Sequence, residues 1–157
     1  MAKRYAGGEQ DSGRAPIHSA EDLLSGASNI LLVDDDTELS DGLRIILERQ
    51  GYRVLQARDG QQGKSLIYQH RPDLVILDMM MPRMGGYPVL EHFRDKTDAP
   101  PIIMITANEG SRHKAYAEYL GVKDYIRKPF AMERLLESVE RGLAGQFEAE
   151  AGDKDEQ

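Results

Sequence analysis

Residues 73–82, DLVILDMMMP, restrict this chain more than any other stretch. Leu74 to Leu77 is apolar throughout and includes the β-branched Val75 and Ile76, the composition of a strand buried on both faces. The run stops at Asp78, and Pro82 ends any regular continuation. Strands of that kind belong to parallel sheets with helices on both sides, and there ligands bind where strand ends meet solvent. A lone aspartate in that place also fits a plain turn. Three other strand ends decide between the two readings.

The same pattern recurs along the chain. Asn29–Val33 predicts a first strand ending in Asp34-Asp35-Asp36, and Thr37–Gln50 a helix with Leu39, Leu43, Ile46 and Leu47 at helical spacing and Gly51 as its stop. Tyr52–Ala57 reads as a second strand, and Gln61–His70 as a second helix weakened by Gly63, which costs about 1 kcal/mol against alanine. After the Met81-Pro82 turn, Gly86–Lys96 predicts a third helix, with Pro88 tolerated in its first turn. Pro101–Ile105 is a fourth strand ending at Thr106, and Ser111–Leu120 a fourth helix closed by Gly121. Lys123–Arg127 is a fifth strand leading to Lys128-Pro129, and Met132–Leu143 a fifth helix with Leu135, Leu136, Val139 and Leu143 on one face. Strict alternation of five strands and five helices predicts an α/β fold, a doubly wound parallel sheet in a three-layer sandwich.

Composition removes several classes of function. No run is long and apolar enough for a membrane span, and Lys3 and Arg4 are not followed by the apolar core of a secretory signal. The absence of cysteine excludes disulfides, thiolate metal sites and thiol nucleophiles, and agrees with a cytoplasmic setting. Of the net charge of −7, residues 145–157 carry −4 and residues 1–28 carry −1, which leaves residues 29–144 near −2. No basic stripe is available to follow a phosphate backbone, so direct nucleic-acid binding is not expected. Residues 1–28 read as a flexible N-terminal extension, in which Ser19 could cap one short helix, and residues 144–157 as a disordered acidic tail.

In a parallel sheet the residues just past the strand ends converge along one edge: Asp34 and Asp35, Asp78, Thr106, and Lys128. Clustered carboxylates repel, and a hard divalent cation removes the conflict. Magnesium takes one or two carboxylates together with water and phosphate oxygens, and a lysine and a hydroxyl opposite suit the remaining oxygens. This inventory describes a small phosphoryl site with one aspartate as acceptor.

The motifs VDDD at 33–36, LDMMMP at 77–82, ITA at 105–107 and YIRKPF at 125–130 together closely resemble the receiver domain of two-component response regulators, over about residues 29–143. The resemblance implies a flavodoxin-like sheet of strand order 2-1-3-4-5. It also implies that Asp78 is the phosphoacceptor for a phosphohistidine of a sensor histidine kinase or a histidine phosphotransfer protein. Mg²⁺ would be held directly by Asp35, chiefly through water by Asp34, and by Asp78 and the backbone carbonyl of Met80. Thr106 would bond one phosphoryl oxygen and Lys128 another, small Ala107 would leave access, and the Lys128–Pro129 bond would be cis. Tyr125 would be the switch aromatic, following Thr106 inward. The fourth helix, fifth strand and fifth helix would then change as a surface that binds a downstream protein or a second copy of the chain. No turnover of a separate substrate is expected, and no membrane insertion.

Other readings attach to the same residues. Asp36 is expected to cap the first helix, Met79 to Met81 to fill gaps beside the site, and His18, His70, His92 and His113 to lie on the surface. Gly85 stands where the family often carries an acid or amide, which suggests a looser loop. Met80 and Asn108 occupy positions that influence the attacking water in relatives, and a thioether orients water poorly, so slow self-dephosphorylation is expected. An aspartyl-phosphate hydrolase of the haloacid dehalogenase type would need an acid where Met80 stands. A flavin carrier would need a hydroxyl-rich loop where Asp34 to Asp36 stand. Within the signalling class, a single-domain regulator, a phosphorelay intermediate and a phosphate sink remain open.

Overall fold

The structure is a computed structural model that describes residues 26–107, 110–145 and 147. Five strands alternate with five helices: β1 (Asn29–Val33), α1 (Thr37–Arg49), β2 (Arg53–Ala57), α2 (Gly60–His70), β3 (Leu74–Asp78), α3 (Gly86–Phe93), β4 (Ile102–Thr106), α4 (Ser111–Tyr119), β5 (Asp124–Arg127) and α5 (Met132–Ala144). All neighbouring strands are parallel, in the order β2-β1-β3-β4-β5, as expected. β1, β3 and β4 are buried along their whole length because helices cover both faces, whereas β2 lies at the edge and is half-buried.

The alternation of side chains along the strands divides the core in two. Leu31, Val33, Val75, Leu77 and Met104 face α2, α3 and α4, where Leu66, Ile67, Val89, Leu90, Phe93 and Ala117 meet them. Ile30, Leu32, Leu74, Ile76, Ile103 and Ile105 face α1 and α5, against Leu43, Leu47, Leu135 and Val139. Most of these side chains are fully buried, and each one contributes about 1.5–3 kcal/mol of transfer free energy.

Local chemistry sets the ends of the elements. Asp36 caps α1, its Oδ1 accepting from Leu39 N at 3.1 Å, as expected. Gly51 and Gly121 follow α1 and α4 with φ of 95° and 96°, where a side chain would be strained. Most boundaries that differ from expectation do so by a single residue, and two differences have a visible local cause. Tyr52 is outside β2 because its amide bonds Leu47 O at 3.2 Å and so closes α1. The third helix stops at Phe93, short of Lys96, whose amide folds back onto Phe93 O at 3.1 Å. Gly63 also has a reason that periodicity does not show, since a Cβ there would stand 2.9 Å from Val33 Cγ1. Ser19 and the acidic tail beyond residue 147 lie outside the described residues.

Candidate functional site

The strand order reverses direction between β1 and β3, so the loops leaving these two neighbours part to opposite faces and open a crevice at their ends. Asp34 follows β1 and Asp78 ends β3, which puts both carboxylates at that point. Both are buried, at 2% and 4% exposure, while Asp35 projects into solvent. One carboxylate oxygen from each of Asp34, Asp35 and Asp78 lies within 4.8 Å of the others.

The acids are braced from several sides. Asp34 Oδ1 accepts from Asp36 N at 2.9 Å, and its Oδ2 accepts from Lys128 Nζ at 3.0 Å. Lys128 Nζ also lies 3.6 Å from Asp78 Oδ2. The lysine's own amide donates to Thr106 O at 2.7 Å, and the Lys128–Pro129 bond is cis, the isomer expected. Thr106, at the end of β4, is fully buried. Its side chain is hydrogen-bonded to that of Tyr125, which is turned inward at 8% exposure. Met80 N donates to Asp78 Oδ1 over a long 3.4 Å, and the Met80 side chain points outward, 63% exposed. Of the positions expected to converge, 34, 35, 78 and 128 come together through their side chains, and 106 ends the strand beside that of Asp78.

The charge state of the site follows from this crowding. Burial, and then repulsion from Asp34, pushes the Asp78 carboxyl up to about 7, against the pull of Lys128. Burial alone would lower the Lys128 ammonium, but its bond to Asp34 and the charge of Asp78 carry it above its ordinary value. Burial raises the Tyr125 phenol. Three carboxylates and one ammonium leave an excess of negative charge that a small cation would neutralise. The donors are all hard oxygens, with no thiolate or imidazole among them, and this set fits magnesium.

Some expectations need correction. Met79 is core, at 4% exposure, with Met81 and Met84 packed against it, but Met80 does not fill a gap. His70 is buried at 7% exposure on the inner side of α2, and helical position rather than polarity decides this. His92 Nε2 and His113 Nδ1 sit 2.7 Å and 3.0 Å from the hydroxyls of Tyr68 and Tyr87. At Gly85 a Cβ would lie 2.7 Å from Met79 O, so the small size of this residue permits a close approach that the sequence did not suggest. His18 and Asn108 lie outside the described residues.

A 2-1-3-4-5 parallel sheet with an acid cluster at its switch point and Lys128 reaching into it defines a flavodoxin-like fold with a candidate cation site. The family model described as the response regulator receiver domain matches residues 30–140, and the chain belongs to that family. The response regulator MprA of Mycolicibacterium vanbaalenii is 42% identical over 107 residues, which are 68% of this chain and 46% of the relative. The chain thus spans about half the length of the curated relatives it matches. Among solved structures, a CheY-like response regulator receiver domain protein from Methanospirillum hungatei is similar with a TM-score of 0.72 and 31% identity, covering 79% of this chain and 98% of that one. The non-phosphorylated HemR receiver domain from Leptospira biflexa is similar with a TM-score of 0.68 and 32% identity, covering 74% and 94%. Receiver domains belong to two-component signalling and are generally not classed as enzymes with substrate turnover. No helix among the described residues is long and apolar enough to cross a membrane.

Proposed function

We propose that this chain accepts a phosphoryl group on Asp78 from the phosphohistidine of a sensor histidine kinase or a histidine phosphotransfer protein. The observation that supports this most directly is that Asp78 shares one small space with two further carboxylates and with Lys128. An Asp78 carboxylate oxygen forms the new bond to phosphorus as the phosphorus–nitrogen bond breaks. The departing imidazole keeps the electron pair and takes up a proton. Asp34, Asp35, Asp78 and the backbone carbonyl of Met80 would hold Mg²⁺, which when bound supplies charge neutralisation for the incoming phosphoryl oxygens. Lys128 pairs with one of those oxygens, and the Thr106 hydroxyl bonds another.

The output follows from the contacts of Thr106. Once its hydroxyl is drawn toward the phosphoryl group, the bond it shares with Tyr125 is re-formed in a new arrangement, and the α4-β5-α5 surface shifts between two conformations. A downstream protein or a second copy of the chain reads that surface, in the cytoplasm where such phosphodonors act. The test is incubation with acetyl phosphate and Mg²⁺. A mass increase of one phosphoryl group that hydroxylamine removes and Asp78→Asn abolishes is the expected result. Modification that persists in Asp78→Asn overturns the assignment.

A further inference from the structure

The loop between Asp78 and α3 is held from outside the acid cluster. Asp59, at the start of α2, is 5% exposed, and its Oδ2 accepts from both Arg83 Nε at 2.9 Å and Arg83 Nη2 at 2.6 Å. Its Oδ1 accepts from Gln62 N at 2.9 Å and so caps α2, which fixes the carboxylate to a rigid helix. Alongside, Gly60 N donates to Met84 O at 2.7 Å. A Cβ at residue 60 would lie 2.6 Å from that carbonyl, so the two loops touch backbone to backbone. Arg83 itself adopts φ of 64°, a left-handed conformation that disfavours a residue with a Cβ. The left-handed backbone and the ion pair occur at the same residue, with the Arg83 side chain 75% exposed and the Asp59 side chain 7% exposed.

We propose that the Asp59–Arg83 pair is a latch that positions residues 79–86, and with them the Met80 carbonyl, and so sets the affinity of the acid cluster for its divalent cation. The inference rests on the metal assignment made above. Neither residue touches the reacting atoms, so both are positioning residues. A loop ordered in advance by an ion pair does not have to be ordered at the moment the cation binds, and affinity rises accordingly.

In the full chain, Arg83→Gly removes the ion pair while glycine accepts the left-handed backbone, and Arg83→Asn, which also tolerates that conformation, controls for the backbone freedom that glycine adds. Arg83→Lys keeps the charge without the fork. The readouts are Mg²⁺ affinity by calorimetry and amide hydrogen exchange at residues 79–86 in metal-free protein. Arg83→Gly is expected to weaken Mg²⁺ binding about three- to tenfold, at the low end of what groups bracing metal ligands contribute. Exchange at Met84 and Gly86 should accelerate, the thermal midpoint should stay close to the parent's, and Arg83→Lys should recover part of the affinity. Unchanged Mg²⁺ affinity in Arg83→Gly overturns the latch, as does exchange that accelerates in Arg83→Gly but not in Arg83→Asn. If the parent itself does not bind Mg²⁺, the metal assignment fails, and faster exchange in the variant still decides whether the pair orders the loop.

Discussion

Lys128 donates to Asp34 at 3.0 Å while standing 3.6 Å from Asp78, so in the unmodified protein the ammonium belongs first to the acid that is not the proposed acceptor. Breaking the partly buried pair should destabilise metal-free Lys128→Ala by about 2 kcal/mol, less than for a fully buried pair. With the competing positive charge gone, Mg²⁺ should raise the melting midpoint of this variant more than that of the parent. Thermal denaturation with and without chelator checks both statements.

The crowding of Asp78 predicts a pH dependence of opposite sign to that of an ordinary salt bridge. Its folded pKa, about 7, lies above the unfolded value, so the folded protein binds the extra proton more tightly. Stability of the chelated protein should therefore fall as pH rises from about 4 to 7. Asp78→Asn removes the effect and should be more stable than the parent at pH above 7 by on the order of 2 kcal/mol, with the gap closing on acidification. Urea melts across this window measure it.

Asp124 behaves in the opposite sense. Burial pushes its carboxyl up, but the bonds from Arg134 Nη1 and Nη2 at 2.7 Å and 2.9 Å and from Ser138 Oγ at 2.7 Å hold it below its ordinary value. That contribution is present above the unfolded pKa and is lost as pH falls through the folded one. Asp124→Asn should cost about 1–3 kcal/mol at neutral pH, and the cost should shrink as pH falls below the ordinary carboxylate range. The same melts, carried to acid pH, test this.

Gly63→Ala sets two effects against each other. Alanine gains about 1 kcal/mol of helix propensity. Its Cβ meets Val33 Cγ1 and Cγ2 at 2.9 Å and 3.0 Å, and a β-branched side chain has little freedom to move away. Overpacking costs about 1–3 kcal/mol, so the variant should be less stable than the parent. Val33→Ala in the same chain should restore part of the loss.

Met80→Asn replaces an exposed thioether beside Asp78 with an amide that can orient water. The phosphorylated variant should lose its phosphoryl group several-fold faster than the parent. Decay of the hydroxylamine-sensitive phosphate, followed by intact mass, provides the measurement.

Strand ends were the most legible part of the molecule, because Ile30–Val33, Leu74–Leu77 and Ile102–Ile105 are apolar runs cut off by polar residues that parallel topology brings together. Contacts between loops left no such trace. The link from Asp59 to Arg83 crosses 24 positions between two irregular segments, and periodicity carries no information about it. Its only signal was the second strand end, where Asp59-Gly60 combines a helix-capping acid with a residue that allows close approach. His70 is misread for a related reason, since its place on the inner side of α2, with Leu66 and Ile67, buries it despite its polarity. The role of Gly63 depended on Val33, a partner 30 residues away in another layer.

Gly86 leaves almost no free space beneath α3, since a Cβ there would lie 2.7 Å from the carbonyl of Asp78 and 2.9 Å from Met104 Cε. That helix is in effect bolted to the residue proposed to be modified and has no slack to absorb a displacement.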